Sequence, residues 1–368
     1  MNLMIQIYMT VCVVLLIFDI GFLLVKNMRN HRFYPRMTKF EAQVIQEIEA
    51  RKESGKFSEE FLKSLNKNLA KTKYLIALQS VLEKHPEARE WFKPMIFSCL
   101  KDYKKKSDYE QAYYTYVIST LGYENEKVLN TFASEFLTFL DSKSLYTFIN
   151  TMNAIYEFGE TNILIAAIDK IDERAGFYHK KLFADGLIQA RVDKKEFGAK
   201  LMEKYASYTD YTKACVLDYF RFANIEASEF CMKLVESKTE DDEIRYGAIR
   251  YFVKFPNEES KKYFTNILEN GNEAWVEEML AIQGLSRCTD AEVRSLIKNK
   301  ITSRNWYVRV NAAEYLQKNG LDKEEILEIV SLDDRYTNET LLYQYQNDKV
   351  MSAYIRELIE KKEKGGTK

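Results

Sequence analysis

The chain has 368 residues, of which 46% are hydrophobic and 30% charged, a balance that permits a sizeable core and excludes disordered or collagen-like chains. Only 4 Pro and 13 Gly occur, too few for the hairpin turns of an all-β fold, so an almost wholly helical chain is predicted. The net charge of -1 is unevenly distributed. Residues 1–25 carry one acid and no Lys or Arg, residues 26–106 have a net charge of +9, and residues 107–368 a net charge of -9.

The N-terminal segment is apolar from residue 3 to residue 25. A helix of that length spans about 30 Å at about 1.5 Å per residue, so residues 1–26 are predicted to be a transmembrane anchor. The segment lacks the basic start and the small-residue cleavage site of a signal peptide. Five basic residues follow it between Lys26 and Lys39, and the positive-inside rule then places the C-terminal body in the cytoplasm. The predicted location is the cell membrane, crossed once.

Asp19 is the one acidic residue of this apolar segment. One interpretation is a carboxyl group that is protonated or reaches the cytoplasmic headgroups. The other is a polar contact with a transmembrane helix of a partner, which makes Asp19 a candidate partner-binding residue.

Residues 27–106 are predicted to be a basic juxtamembrane neck or cap with helices near 40–50, 59–69, 74–82 and 88–101. Their basic side chains favour contact with anionic lipid, but their acidic neighbours are equally typical of a solvated helix face.

Internal repetition begins beyond the neck. Residues 244–252 read Ile-Arg-x-x-Ala-Ile-x-x-Phe, and residues 308–316, which lie 64 positions later, read Val-Arg-x-x-Ala-Ala-x-x-Leu. A weaker copy at 276–284 has Glu277 where the other two have Arg245 and Arg309. The spacing i, i+4, i+5, i+8 puts the apolar positions on one helix face, and the small residues let neighbouring helices approach closely.

Second amphipathic stretches at 260–268, 291–301 and 323–330 lie between the copies, so each unit is predicted to be a helix pair. An earlier copy at 212–220 and a looser periodicity reach back to about residue 110. The predicted fold is therefore all-α, with an α-solenoid of about 32-residue units over residues 107–358. Residues 359–368 are predicted to be a polar, disordered tail.

These repeats resemble the HEAT repeat family, most clearly over residues 240–331. The resemblance implies a right-handed superhelix of antiparallel helix pairs, whose second helices line a concave surface that holds other macromolecules. It also implies that Arg245 and Arg309 pack and hydrogen-bond between adjacent units rather than bind a ligand. Arg250, Asn311 and Glu314 lie on other faces of these helices and are the candidate partner-binding residues of the body.

Residue types that commonly catalyse reactions or bind metals are scattered along the chain. The three His residues form no ligand pair, the five Cys residues have no C-x-x-C spacing and are predicted to be buried thiols, and no Gly-rich phosphate loop occurs. No catalytic residue, metal site or cofactor is predicted, and the protein is expected not to be an enzyme.

The leading hypothesis is a scaffold that recruits or steadies a protein partner at the membrane, such as an integral-membrane assembly for envelope or polysaccharide synthesis and export. The alternative is a solenoid enzyme of the alkylated-base DNA glycosylase type that uses Trp275 and Trp306. The acidic body disfavours nucleic acid, because a groove that follows phosphates is basic. A third class, a lipid- or peptidoglycan-associated sensor, requires the body to lie outside the cell.

Overall fold

The computed structural model describes residues 2–121, 132–174, 179–237, 241–271, 274–332 and 334–365, without the side chains of 2–6, 24–33 and 363–365. Every regular element in these ranges is a helix and no strand occurs in them, which confirms the all-α prediction. The chain divides into two units, Met1–Ile171 with Gln189–Val192, and Asp172–Ile188 with Asp193–Lys368. The predicted segment boundaries at 26, 106 and 358 remain predictions.

The first unit begins with one long helix, α1 (Asn2–Ser54). The sequence predicts separate helices before residue 26 and after residue 40, but the helix continues through both, with Pro35 inside it. Phe40, Val44 and Ile48 are buried where α1 packs on α3 (Thr72–Lys84).

The N-terminal part of α1 exposes apolar side chains from Ile7 to Leu23, thirteen of which are at least half exposed. No helix in the described part of the chain is both long and apolar enough to cross a membrane. The predicted span 3–25 lies partly outside the described side chains, at residues 3–6 and 24–25.

The first unit also contains α2 (Glu59–Leu69), α4 (Arg89–Ser98), α5 (Leu100–Tyr103), α6 (Asp108–Thr120), α7 (Leu145–Phe158) and α8 (Thr161–Asp172). The predicted helix at 88–101 is thus two helices, which meet at Cys99. Helix α3 packs on α6, and α6 packs on α7. The rings of Tyr103 and Tyr114 stack with centroids 4.5 Å apart in the core.

The second unit continues with α9 (Lys180–Gln189), α10 (Lys194–Lys204), α11 (Asp210–Ala223), α12 (Ser228–Glu236), α13 (Asp242–Lys254), α14 (Glu258–Asn270), α15 (Trp275–Gly284), α16 (Ala291–Asn299), α17 (Trp306–Lys318), α18 (Lys323–Ser331), α19 (Arg335–Gln344) and α20 (Lys349–Gly365). Helices α11, α13, α15, α17 and α19, which we call the odd-numbered helices, pack on one another in this order. The helices between them pack alongside: α12 on α13, α14 on α15, α16 on α17 and α18 on α19.

The repeated apolar residues lie in these packing surfaces. Ala248 and Ile249 of α13, and Ala312 and Ala313 of α17, are at most 1% exposed. The i, i+4, i+5 face that the sequence predicts is therefore the buried face of these helices.

The C-terminal helix α20 continues to Gly365, into the segment 359–368 that the sequence predicts to be a polar, disordered tail. Ion pairing stabilises its last turns: the Lys361 ammonium lies 2.5 Å from the Glu357 carboxylate one turn earlier. Lys362 also donates to the carbonyl oxygen of Ser331 at 2.7 Å. Residues 366–368 lie outside the described residues.

Candidate partner-binding face

The repeated arginine at 309 is a buried residue that connects neighbouring helices. Arg309 is 6% exposed, and its guanidinium donates to the carbonyl oxygens of Ser303 at 2.7 Å and Arg304 at 3.1 Å. Its Nε donates to the Thr340 hydroxyl on α19 at 3.3 Å. These bonds give the buried N–H donors of the guanidinium acceptors within the fold.

The equivalent arginine at 245 connects α13 with α15 by an ion pair. Its Nη2 lies 2.5 Å from Glu277 Oε1, and the Glu277 side chain is only 2% exposed. Burial alone would lower the pKa of Arg245, but the carboxylates of Glu277 and Asp242 outweigh it, so the pKa is raised. Glu277 stands where the other two copies of the repeat have arginine. Its carboxylate pairs with Arg245, the arginine of the unit before it.

Asn311 and Glu314, two of the predicted partner-binding residues, come together in one open pocket of about 290 Å³. The pocket lies across α13, α15 and α17, and its other lining residues are Val253, Ile282, Gln283, Ser286, Tyr315 and Lys318. We call this surface the partner-binding face, because it contains two of the residues that the sequence predicts to bind a partner.

Hydrogen bonds order the polar side chains of the partner-binding face. The Gln283 amide donates to Asn311 Oδ1 at 2.9 Å, while Asn311 Nδ2 donates to the Tyr307 carbonyl oxygen at 2.8 Å. The Lys318 ammonium lies 2.5 Å from the Glu314 carboxylate. The face therefore offers carboxamide, hydroxyl and paired charged groups, which suit the backbone and side chains of a protein segment.

Arg250, the third predicted residue of the body, lies on α13 one turn before Val253. Its nearest carboxylate oxygen, Glu243 Oε2, is 3.8 Å away, which is too far for a hydrogen bond. Asp19 lies in α1 of the first unit, where its side chain is exposed.

The two tryptophans of the enzyme alternative are surface residues. Trp275 is 43% exposed and stacks on Tyr307 with ring centroids 5.3 Å apart, and Trp306 is 41% exposed. The acids near Trp275 are engaged: Glu277 pairs with Arg245, and Glu278 lies 2.6 Å from the Lys300 ammonium.

Two buried thiols lie on α11 and α12, those of Cys215 and Cys231. Burial raises the pKa of the Cys215 and Cys231 thiols to about 12 each, so both are protonated at neutral pH. Within the described ranges, no three His, Cys, Asp or Glu side chains are grouped so that they could hold a metal ion.

Gln283 and Lys318 are residues of the face that the sequence reasoning missed. The weak copy of the repeat at 276–284 contains Gln283, but alignment of the copies places it opposite Tyr251 and Tyr315, which are buried. Its contact with Asn311 depends on the helix register, because the two residues are 28 rather than 32 positions apart.

Comparison with known proteins gives no further assignment: no protein-family model matches the chain, and no curated protein matches it either. The resemblance to HEAT repeats therefore rests on the residues of the chain itself.

Proposed function

We propose that the protein is a membrane-anchored scaffold of HEAT-like helix pairs, which binds a protein partner on the partner-binding face and recruits or steadies it at the membrane. The open pocket that brings Asn311 and Glu314 together carries this proposal. Its size and its polar, shallow lining suit one or two side chains of a protein segment, whereas small-molecule sites bury most of a ligand among apolar groups.

The order in which the helices pack supports the solenoid part of the proposal. Each odd-numbered helix packs on the next, and each is accompanied by the helix that follows or precedes it in the chain. Such units bury their apolar faces against neighbours and leave extended surfaces for binding.

The exposed part of α1 supports the anchor. Thirteen apolar side chains between Ile7 and Leu23 are at least half exposed, far more than a helix in water leaves uncovered. We propose that lipid covers these apolar side chains and that the C-terminal body lies on the cytoplasmic side of the membrane. An integral-membrane assembly, such as one for envelope or polysaccharide synthesis and export, fits a scaffold of this kind, and Asp19 is the residue that we propose contacts it within the bilayer.

Affinity purification of the full chain from membranes in mild detergent tests this function. We expect a stoichiometric protein partner that is lost with Asn311→Lys/Glu314→Lys and retained with Lys262→Glu, a control on an exposed residue of α14. The variant Asp19→Leu separates contact within the membrane from contact on the body. Equal recovery of the partner with the double variant and the control would refute a role for this face.

A further inference from the structure

An arginine with one distant ion-pair partner lies beside the partner-binding face. The Arg250 guanidinium makes no hydrogen bond within the described part of the chain, its Nη1 lies 3.8 Å from Glu243 Oε2, and the side chain is 34% exposed, so the guanidinium is partly withdrawn from water. A guanidinium offers five N–H donors in a planar fork, and a half-buried one that lacks acceptors is costly to hold.

A second arginine, on α11, increases that cost. Arg221 of α11 donates to Asp218 at 2.8 Å, while its Nε is buried and has no acceptor among the described residues. Burial lowers the pKa of Arg221, Asp218 opposes this effect, and the charge of Arg250 lowers the pKa further. The charge of Arg250 thus opposes that of Arg221, and the helices that carry the two arginines, α11 and α13, pack on each other.

The surroundings of this pair add a third cation and an apolar ring. Lys254 is fixed by its bonds to the Arg221 carbonyl oxygen at 2.8 Å and to Asn224 Oδ1 at 2.9 Å. Phe222 is 50% exposed, with the Arg221 guanidinium 4.2 Å from its ring centroid. We call this group of side chains the cationic cluster. It contains three cations, Arg221, Arg250 and Lys254, and two carboxylates, Asp218 and Glu243, in a body whose net charge is negative.

We propose that this cluster binds a carboxylate of an acidic peptide segment of the partner, held between Arg221 and Arg250, with an apolar side chain of the segment against Phe222. The inference rests on the proposed function, because it names the chemistry of the partner at the same face. Carboxylates match the fork of a guanidinium through two parallel hydrogen bonds, and an anion between two guanidiniums removes their repulsion.

The position of the cluster favours a peptide over a lipid headgroup. Val253 lies between Arg250 and Lys254 on α13 and lines the pocket, so a segment bound at the arginines continues towards the amides of Gln283 and Asn311. Those amides suit a peptide backbone.

Selection of a random peptide library on the detergent-solubilised full chain tests the proposal. We expect enrichment of peptides with Asp or Glu next to an aromatic or aliphatic residue. A synthetic peptide of the enriched sequence should lose about tenfold in affinity with Arg250→Glu, and also when its acid is replaced by the amide. Arg221→Gln should weaken it as well, whereas Arg304→Glu, at an exposed arginine of the same unit, should leave the affinity within about twofold.

Three results would overturn the proposal: no enrichment of acidic residues, an affinity that Arg250→Glu leaves unchanged, or equal displacement of the peptide by inorganic phosphate or anionic vesicles at matched charge. Circular dichroism of each variant checks that it is folded. Failure of this proposal can be told apart from failure of the proposed function. If binding of the partner depends on Asn311 and Glu314 but not on Arg250, the proposed scaffold stands and only the acidic segment is refuted.

Discussion

Glu277 shows at the scale of one residue how a departure from a repeat can be compensated. Its side chain is almost fully buried against Arg245, so removal of the carboxylate leaves the arginine with only the exposed Asp242 nearby. We predict that Glu277→Ala lowers the free energy of unfolding of the second unit by about 3 kcal/mol, the cost of breaking a buried pair from one side. Urea titration of the full chain, followed by tryptophan fluorescence, measures it.

The double variant Arg245→Met/Glu277→Leu separates the charge from the packing. We expect it to recover most of the lost stability, because two apolar side chains of similar volume leave no charge unpaired. Glu229→Ala, which breaks the exposed pair with Lys233, serves as the control and should leave the urea midpoint unchanged. A loss with Glu277→Ala as small as that with the control would show that the buried pair does not stabilise the unit.

At the scale of the helix, two glycines determine how closely the odd-numbered helices and their neighbours approach. A Cβ at Gly284 would lie 2.1 Å from Cε2 of the buried Phe264 ring, whereas a Cβ at Gly247 would lie 2.9 Å from the end of the Leu217 side chain. We predict that Gly284→Ala destabilises the second unit by about 1–3 kcal/mol. Gly247→Ala should cost less, because Leu217 can shift and alanine favours the helix. Thermal unfolding of both variants measures the difference, and equal midpoints would contradict the predicted crowding at Phe264.

Helices were predictable where the apolar period was strong. The segments 244–252 and 308–316 lie within α13 and α17, because their buried alanines follow the 3.6-residue period directly. The continuation of α1 through Pro35 was not predictable, since proline usually ends a helix pattern. Likewise, the polar composition after residue 359 suggested disorder, but the contact between Lys362 and Ser331 that holds α20 depends on tertiary packing.

At the scale of the whole molecule, the sequence predicted which residues share one helix face but not which residues of different helices come together. Asn311 and Glu314 share one helix, so the helical period alone placed them on one face. The ion pair of Arg245 with Glu277 depends on the packing of α13 on α15. The two residues are equivalent positions of a 32-residue alignment, but the alignment does not show that their side chains touch. Arg221 and Arg250 are 29 positions apart, so the alignment does not relate them.

Photo-crosslinking in intact membranes tests most directly the claim that the partner-binding face holds a partner at the bilayer. A photoreactive residue at Ser286, an exposed member of the pocket, is compared with one at Lys262 of α14. We predict that position 286 gives one protein adduct in the membrane fraction that resists carbonate extraction, and that position 262 gives none. Equal adducts from both positions, or the full chain itself in the carbonate supernatant, would contradict the account.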